Sequence, residues 1–190
     1  LVGCKGDQEK AEGVARHPGE QVKPEAATGQ TAEGVSEMAF SLTSPAFDHG
    51  EAIPAKFTCV GQDISPQLGW QNPPEGTRSF ALICDDPDAP GGTWVHWVVW
   101  AIPATAMGLG EGIPPDPVLD DATKQGTTDF GRIGYGGPCP PPGKPHRYFF
   151  KLYALDNLTE IEPGATKQLL LKAMEGHILA QTELMGTFAR

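Results

Sequence analysis

Two histidines sit two residues away from an aromatic side chain in stretches that read as strand. Trp94 and His96 lie within the apolar run Thr93–Trp100, and His146 and Tyr148 open the run His146-Arg147-Tyr148. Side chains two apart on an extended strand share a face, so each pair presents an imidazole beside an aromatic ring, and the two pairs together could line one pocket. A histidine on an apolar face is most often a satisfied core residue. These two gain weight from the segment Asp85-Asp86-Pro87-Asp88-Ala89-Pro90, where three acids and two prolines follow directly on the apolar run Phe80–Cys84. Carboxylates there need hydrogen-bond partners, while the prolines stiffen the turn and one of them is a candidate for the cis form. A third stretch, Gly131–Gly143, is rich in glycine and proline. Adjacent glycines such as Gly136 and Gly137 let main-chain N–H groups approach an anion without side-chain obstruction, and the following prolines fix the loop. It is no dinucleotide fingerprint, because no strand-Gly-x-Gly-x-x-Gly-helix context surrounds it.

The elements that must position these groups are strands. Short runs rich in β-branched and aromatic residues, over 39–43, 79–85, 94–102, 147–155 and 178–188, are punctuated by Pro and Gly clusters, the pattern of a sandwich or barrel. One segment, Thr166–Glu175, reads as helix, with Leu169, Leu170, Ala173 and Met174 at helical spacing and Gly176 as terminator. The run 93–100 is apolar on both faces, which predicts a central strand covered on each side. Composition agrees: Gly (24) and Pro (19) make 43 of 190 residues, too many for a helical bundle. A formal charge of -10 argues against a nucleic-acid partner, whose phosphates demand a basic surface. No apolar run approaches the roughly 18 residues of a membrane-spanning helix.

The chain divides near residue 38. All fifteen aromatic residues lie between Phe40 and Phe188, whereas residues 1–38 contain none and carry seven acids and four bases. Such a stretch buries too little apolar surface to offset its ordering entropy, so it reads as a disordered tether ahead of a domain over 39–190. Its first residues, Leu1-Val2-Gly3-Cys4, resemble the end of a bacterial lipoprotein signal, which predicts lipidation at Cys4, membrane association through that anchor alone, and a place in the cell envelope facing the periplasm. Of the other cysteines, Cys84 sits in an apolar run and reads as a buried thiol. Cys59 and Cys139 lie near turn-rich segments and are the better candidate pair for a disulfide. No Cys-x-x-Cys spacing suggests zinc.

The ordered set Asp86-Pro87-Asp88-Ala89-Pro90, Trp94-Val95-His96-Trp97, Gly136-Gly137-Pro138-Cys139-Pro140-Pro141 and His146-Arg147-Tyr148 resembles the phosphatidylethanolamine-binding protein (PEBP) family, and more narrowly its bacterial Raf kinase inhibitor-like branch. Ile53–Cys59, Ser65–Trp70 and the stretches Gly176–Ala180 and Gly186–Arg190 match as well, so the resemblance covers roughly 39–190. It implies a mainly β fold: an antiparallel β-sandwich with a few short helices and a small cavity at one end that takes phosphate, phosphorylethanolamine or similar anions. Carried over by motif, Asp86, Trp94, His96, His146 and Tyr148 line the cavity. Pro87 and Pro90 shape its rim, and Gly136, Gly137 and Pro140 close the opposite wall. Capture then rests on imidazole and main-chain N–H donors, with Asp86 orienting a histidine or receiving a ligand ammonium or hydroxyl. Trp94 and Tyr148 supply apolar walls and a cation-π face.

Two departures stand out. The chain ends at Arg190 directly after the last strand, without the further C-terminal helix of eukaryotic relatives, which weighs against kinase inhibition. Thr128 also stands where bacterial relatives often show Asn. The leading expectation is a non-catalytic binding module for a small anionic or phosphorylated ligand, with no cofactor or metal and with homodimers known among bacterial relatives. A second is an inhibitor of a kinase or protease that presents the Pro-rich rim to its partner. An enzyme using the two histidines with Asp86 and Asp88 is third, since neither Gly-x-Ser-x-Gly nor His-Glu-x-x-His occurs.

Overall fold

The structure is a computed structural model and describes residues 39–190; the lipidation candidate Cys4 and the rest of the tether assignment lie outside the described residues. Two antiparallel sheets form the body. The larger has the order β6-β4-β3-β7-β8, with β3 at Ser79–Asp86, β4 at Trp94–Pro103, β6 at Lys124–Gln125, β7 at His146–Leu155 and β8 at Ile178–Phe188. The smaller has the order β1-β2-β5, from Ser41–Thr43, Leu68–Gln71 and Gly108–Leu109. A helix, α1 at Lys167–Met174, starts at Thr166, whose side chain caps the Leu169 N–H.

Alternation along β3 explains the layering. Phe80, Leu82 and Cys84 face the smaller sheet and pack with Leu42, Leu68, Trp70 and Leu109. Ala81 and Ile83 face the other way, where Leu170 and Met174 of α1 cover them. All eight residues of β3 are buried, as expected of a strand enclosed on both faces. β3, rather than β4, is therefore the middle of the sheet. β4 is covered on both faces too, but its outer neighbour β6 spans only two residues.

The same alternation separates two adjacent acids. Asp85 lies on the helix side, where Lys151 and Lys167 both donate to its buried carboxylate and tie β3 to β7 and α1. Asp86 lies on the opposite face, at the end of the core between the sheets. A pair of ammonium groups compensates the desolvation of Asp85, which an apolar face could not do.

Candidate functional site

The pocket is built at the end of β3 and β4, and a β-bulge aims it. Cys84 pairs with Trp97, but Asp85 pairs with Val95, so His96 is the extra residue on β4. Without the bulge, strict alternation would place Trp94 and His96 with Val98 and Trp100 under the helix. The inserted residue reverses the phase, leaving Val95 on the helix side and turning His96 toward Tyr148. Bulges re-aim side chains in this way wherever one residue opposes two. His96 thereby joins Asp86 of β3 and His146 and Tyr148 of β7, all on one side of the sheet.

A cavity of about 210 Å³ results, bounded by Asp86, Ala89, Pro90, Trp94, His96, Phe130, Cys139, Pro140, Pro141 and His146. Six of the residues expected from sequence thus meet there: Asp86, Pro90, Trp94, His96, Pro140 and His146. Tyr148 stands behind them, fully buried, its ring edge-on to His96 at 5.1 Å. Pro87 is exposed and does not line the cavity. Gly136 and Gly137 are also behind the wall, and their expected role as anion donors is not what the structure shows. The Gly136 N–H donates to the His96 carbonyl at 2.9 Å, and the Gly137 N–H donates to Asp63 Oδ1 at 2.7 Å. Their lack of a side chain serves close packing instead. A Cβ on Gly136 would lie 2.5 Å from the Phe130 ring, and one on Gly137 would lie 2.5 Å from the Phe57 carbonyl oxygen.

Phe130, Ala89 and Pro141 complete the wall without having been expected there. Phe130 packs edge-on against both Trp94 and His96, at 5.5 and 5.3 Å. The one sequence cue was an aromatic residue beside Gly131 in a polar loop. The adjacent Asp129 is structural, since its Oδ2 accepts from the Val95 N–H at 2.7 Å. Thr128 donates from its hydroxyl to the Arg132 carbonyl at 2.9 Å, a hydrogen bond that closes the loop. A disulfide joins Cys59 to Cys139 and brings the segment after the 3-10 turn Ala55–Phe57 against the cavity wall, where the Cys59 N–H also donates to Pro138. Cys84 is the free, buried thiol, its pKa raised by burial and then by Asp85 and Asp86.

Hydrogen bonds fix the polar groups. His146 Nδ1 lies 2.7 Å from Asp86 Oδ2, and the Asp88 N–H donates to Asp86 Oδ1 at 2.8 Å. A carboxylate only accepts, so His146 donates through Nδ1. His96 Nδ1 lies 2.6 Å from the Gly136 carbonyl oxygen and donates to it. Its pKa is lowered by burial, against the opposing influence of the Gly136 carbonyl and of Asp86, Asp85 and Asp129. Burial and then Asp86 push the Tyr148 hydroxyl up; it lies near that carboxylate but makes no well-formed hydrogen bond. At the rim, Arg147 grips Asp88 through Nε and Nη2, holding that carboxyl down at about 2. Among the described residues no three His, Cys, Asp or Glu side chains are grouped as a metal site.

These features define a β-sandwich protein with a small, mostly apolar cavity at one end of its core, floored by two imidazoles and a carboxylate. The family model described as phosphatidylethanolamine-binding protein matches residues 43–189. A UPF0098 protein of Methanothermobacter thermautotrophicus is 49% identical over 150 residues, covering 79% of this chain and 99% of its own length. A PEBP homologue from Chlamydia trachomatis has a crystal structure that superimposes with a TM-score of 0.73 at 43% identity, covering 80% of this chain and 98% of that one. Escherichia coli YbcL, described as a new member of the mammalian PEBP family, gives a TM-score of 0.75 at 36% identity with the same coverage. The chain belongs to the phosphatidylethanolamine-binding protein family.

Proposed function

We propose that the protein is a non-catalytic binding module whose cavity takes a small phosphate-type oxyanion, such as a phosphorylated amino-alcohol, at the cell envelope. The observation that carries this reading is the convergence of His96, His146 and Asp86 at the floor of a cavity walled by Trp94, Phe130 and rigid prolines. A volume of about 210 Å³ suits a head group and is too small for a whole lipid or a drug-sized molecule. Trp94 is 38% exposed and offers an aromatic face to a ligand ammonium at the mouth. The disulfide supports an oxidising compartment, where such bonds persist.

Calorimetric titration of O-phosphorylethanolamine tests the reading. We expect binding by the wild type and a loss of about tenfold or more in His96→Ala, the scale of one hydrogen bond to a charged group. Unchanged affinity in that variant would remove His96 from the site. A role as an inhibitor of a kinase or protease has one supporting observation, the exposed prolines Pro90 and Pro141 that line the mouth. A stoichiometric protein partner recovered from envelope extract, and lost on substitution of those prolines, would favour it.

A further inference from the structure

The two halves of the Cys59–Cys139 disulfide stand in different surroundings. Cys139 bounds the cavity, and Arg190 Nη1 lies 3.5 Å from its Sγ. Among the described residues Arg190 forms no ion pair, so this sulfur is the group its guanidinium faces. Pro138 and Pro140 flank Cys139, and a residue that precedes proline is held extended, which keeps the sulfur in place. Cys59 is half-buried, lies in the turn after Phe57 beside the exposed Val60, and does not line the cavity. Its accessible surface is therefore on the outside. Three hydrogen bonds hold that turn against the wall independently of the disulfide: the Cys59 N–H donates to the Pro138 carbonyl at 3.1 Å, the Gly137 N–H to Asp63 Oδ1 at 2.7 Å, and the Tyr135 hydroxyl to the Phe57 carbonyl at 2.9 Å. Cleaving the S–S bond leaves the two sulfurs side by side.

We propose that this disulfide is a directional thiol-exchange site: a small thiol forms a mixed disulfide with Cys59, and Cys139 is released as a thiolate in the cavity wall beside Arg190. The incoming thiol gives its proton to solvent and its sulfur bonds to Cys59 Sγ. The Cys59–Cys139 bond breaks as this happens, and its electron pair stays on Cys139 Sγ, so the exchange involves no net oxidation. Attack by Cys139 on the mixed disulfide expels the thiol and restores the original bond. Direction comes from the leaving group: exchange is faster when the departing thiolate is the better stabilised one, and a guanidinium beside a sulfur stabilises its thiolate. Asp86, the carboxylate that bounds the cavity, is already engaged by His146 and the Asp88 N–H, so the charge in contact with the departing sulfur is positive. The site does not rest on the binding reading. It gives the cavity wall two chemical states, a neutral disulfide and an anionic thiolate paired with Arg190.

Brief exposure of the folded full chain to glutathione, trapping of free thiols with N-ethylmaleimide and peptide mapping by mass spectrometry test this. The Cys59 and Cys139 peptides are read apart from those of Cys4 and Cys84. Glutathione should be found on Cys59 and maleimide on Cys139, in excess of the opposite arrangement by about threefold or more. In Arg190→Gln that ratio should fall toward one, while Arg190→Lys, which keeps the positive charge, should retain most of it. Glutathione equally on both cysteines, or chiefly on Cys139, would overturn the direction of exchange. A ratio unchanged in Arg190→Gln would overturn the part given to the guanidinium. Exchange that begins only once urea has unfolded the chain would show the bond closed to thiols in the folded protein and overturn the inference as a whole.

Discussion

At the scale of single residues, His96 is a buried base held neutral by its surroundings. Its pKa is lowered from 6.5 in the folded protein, so below that value the unfolded chain binds more protons than the folded one. Stability from this residue is therefore complete above about pH 6.5 and declines as the pH falls below it. Urea melts at about pH 7.5 and about pH 5 should show a loss on acidification that is smaller in His96→Gln. Equal losses in the two proteins would mean that the ring is not held neutral. Sequence could place His96, Trp94, Asp86 and His146 in one group because each lies on a strand end, where alternation is readable. It could not show the bulge that turns His96 toward them, since a bulge is a relation between two strands. Nor could it show that the Gly136 and Gly137 amides are occupied: a glycine freed for ligand approach and one required for packing against Phe130 are written identically.

At the scale of elements, the disulfide connects the cavity wall to a segment 80 residues away in sequence. Its removal in the double variant Cys59→Ser, Cys139→Ser should cost about 2–4 kcal/mol, mainly by freeing the unfolded chain. Because Cys139 lies between Pro138 and Pro140 at the cavity, ligand affinity should fall in parallel. Chemical denaturation and ligand titration of both proteins check this, and a variant as stable as the parent would show the bond to be dispensable. The long strands β3, β4, β7 and β8 and helix α1 were legible because each carries enough residues for a period to emerge. β5 and β6, two residues each, and the four-residue β2 have no period of their own and exist only by pairing with neighbours. Phe130 and Pro141 lie on loops whose positions depend on such long-range ties, so their place at the site was invisible locally.

At the scale of the whole molecule, charge and site pull in opposite directions. Residues 39–190 hold 17 of the 24 acids and 10 of the 14 bases. The anionic ligand proposed above would therefore approach a domain of its own sign, and the field would slow encounter rather than steer it. Raising ionic strength from about 20 to about 200 mM should leave the association rate of a phosphate monoester unchanged or increase it up to about threefold, as screening shortens the reach of the field. Stopped-flow or NMR line-shape measurements would read this. A rate that falls with salt would instead assign the approach to a local cation such as Arg190, whose Nη1 lies 3.5 Å from Cys139 Sγ.

Asp85 and Asp86 are joined by one peptide bond, yet one anchors a helix and the other floors a cavity. That single peptide unit is the wall between the load-carrying and the cavity-forming halves of the domain. Loosening α1 by removing Lys167 would release its grip on Asp85 and tilt the backbone that also carries Asp86. The back of the sheet is therefore a place from which affinity can be tuned by substitutions that never touch the ligand.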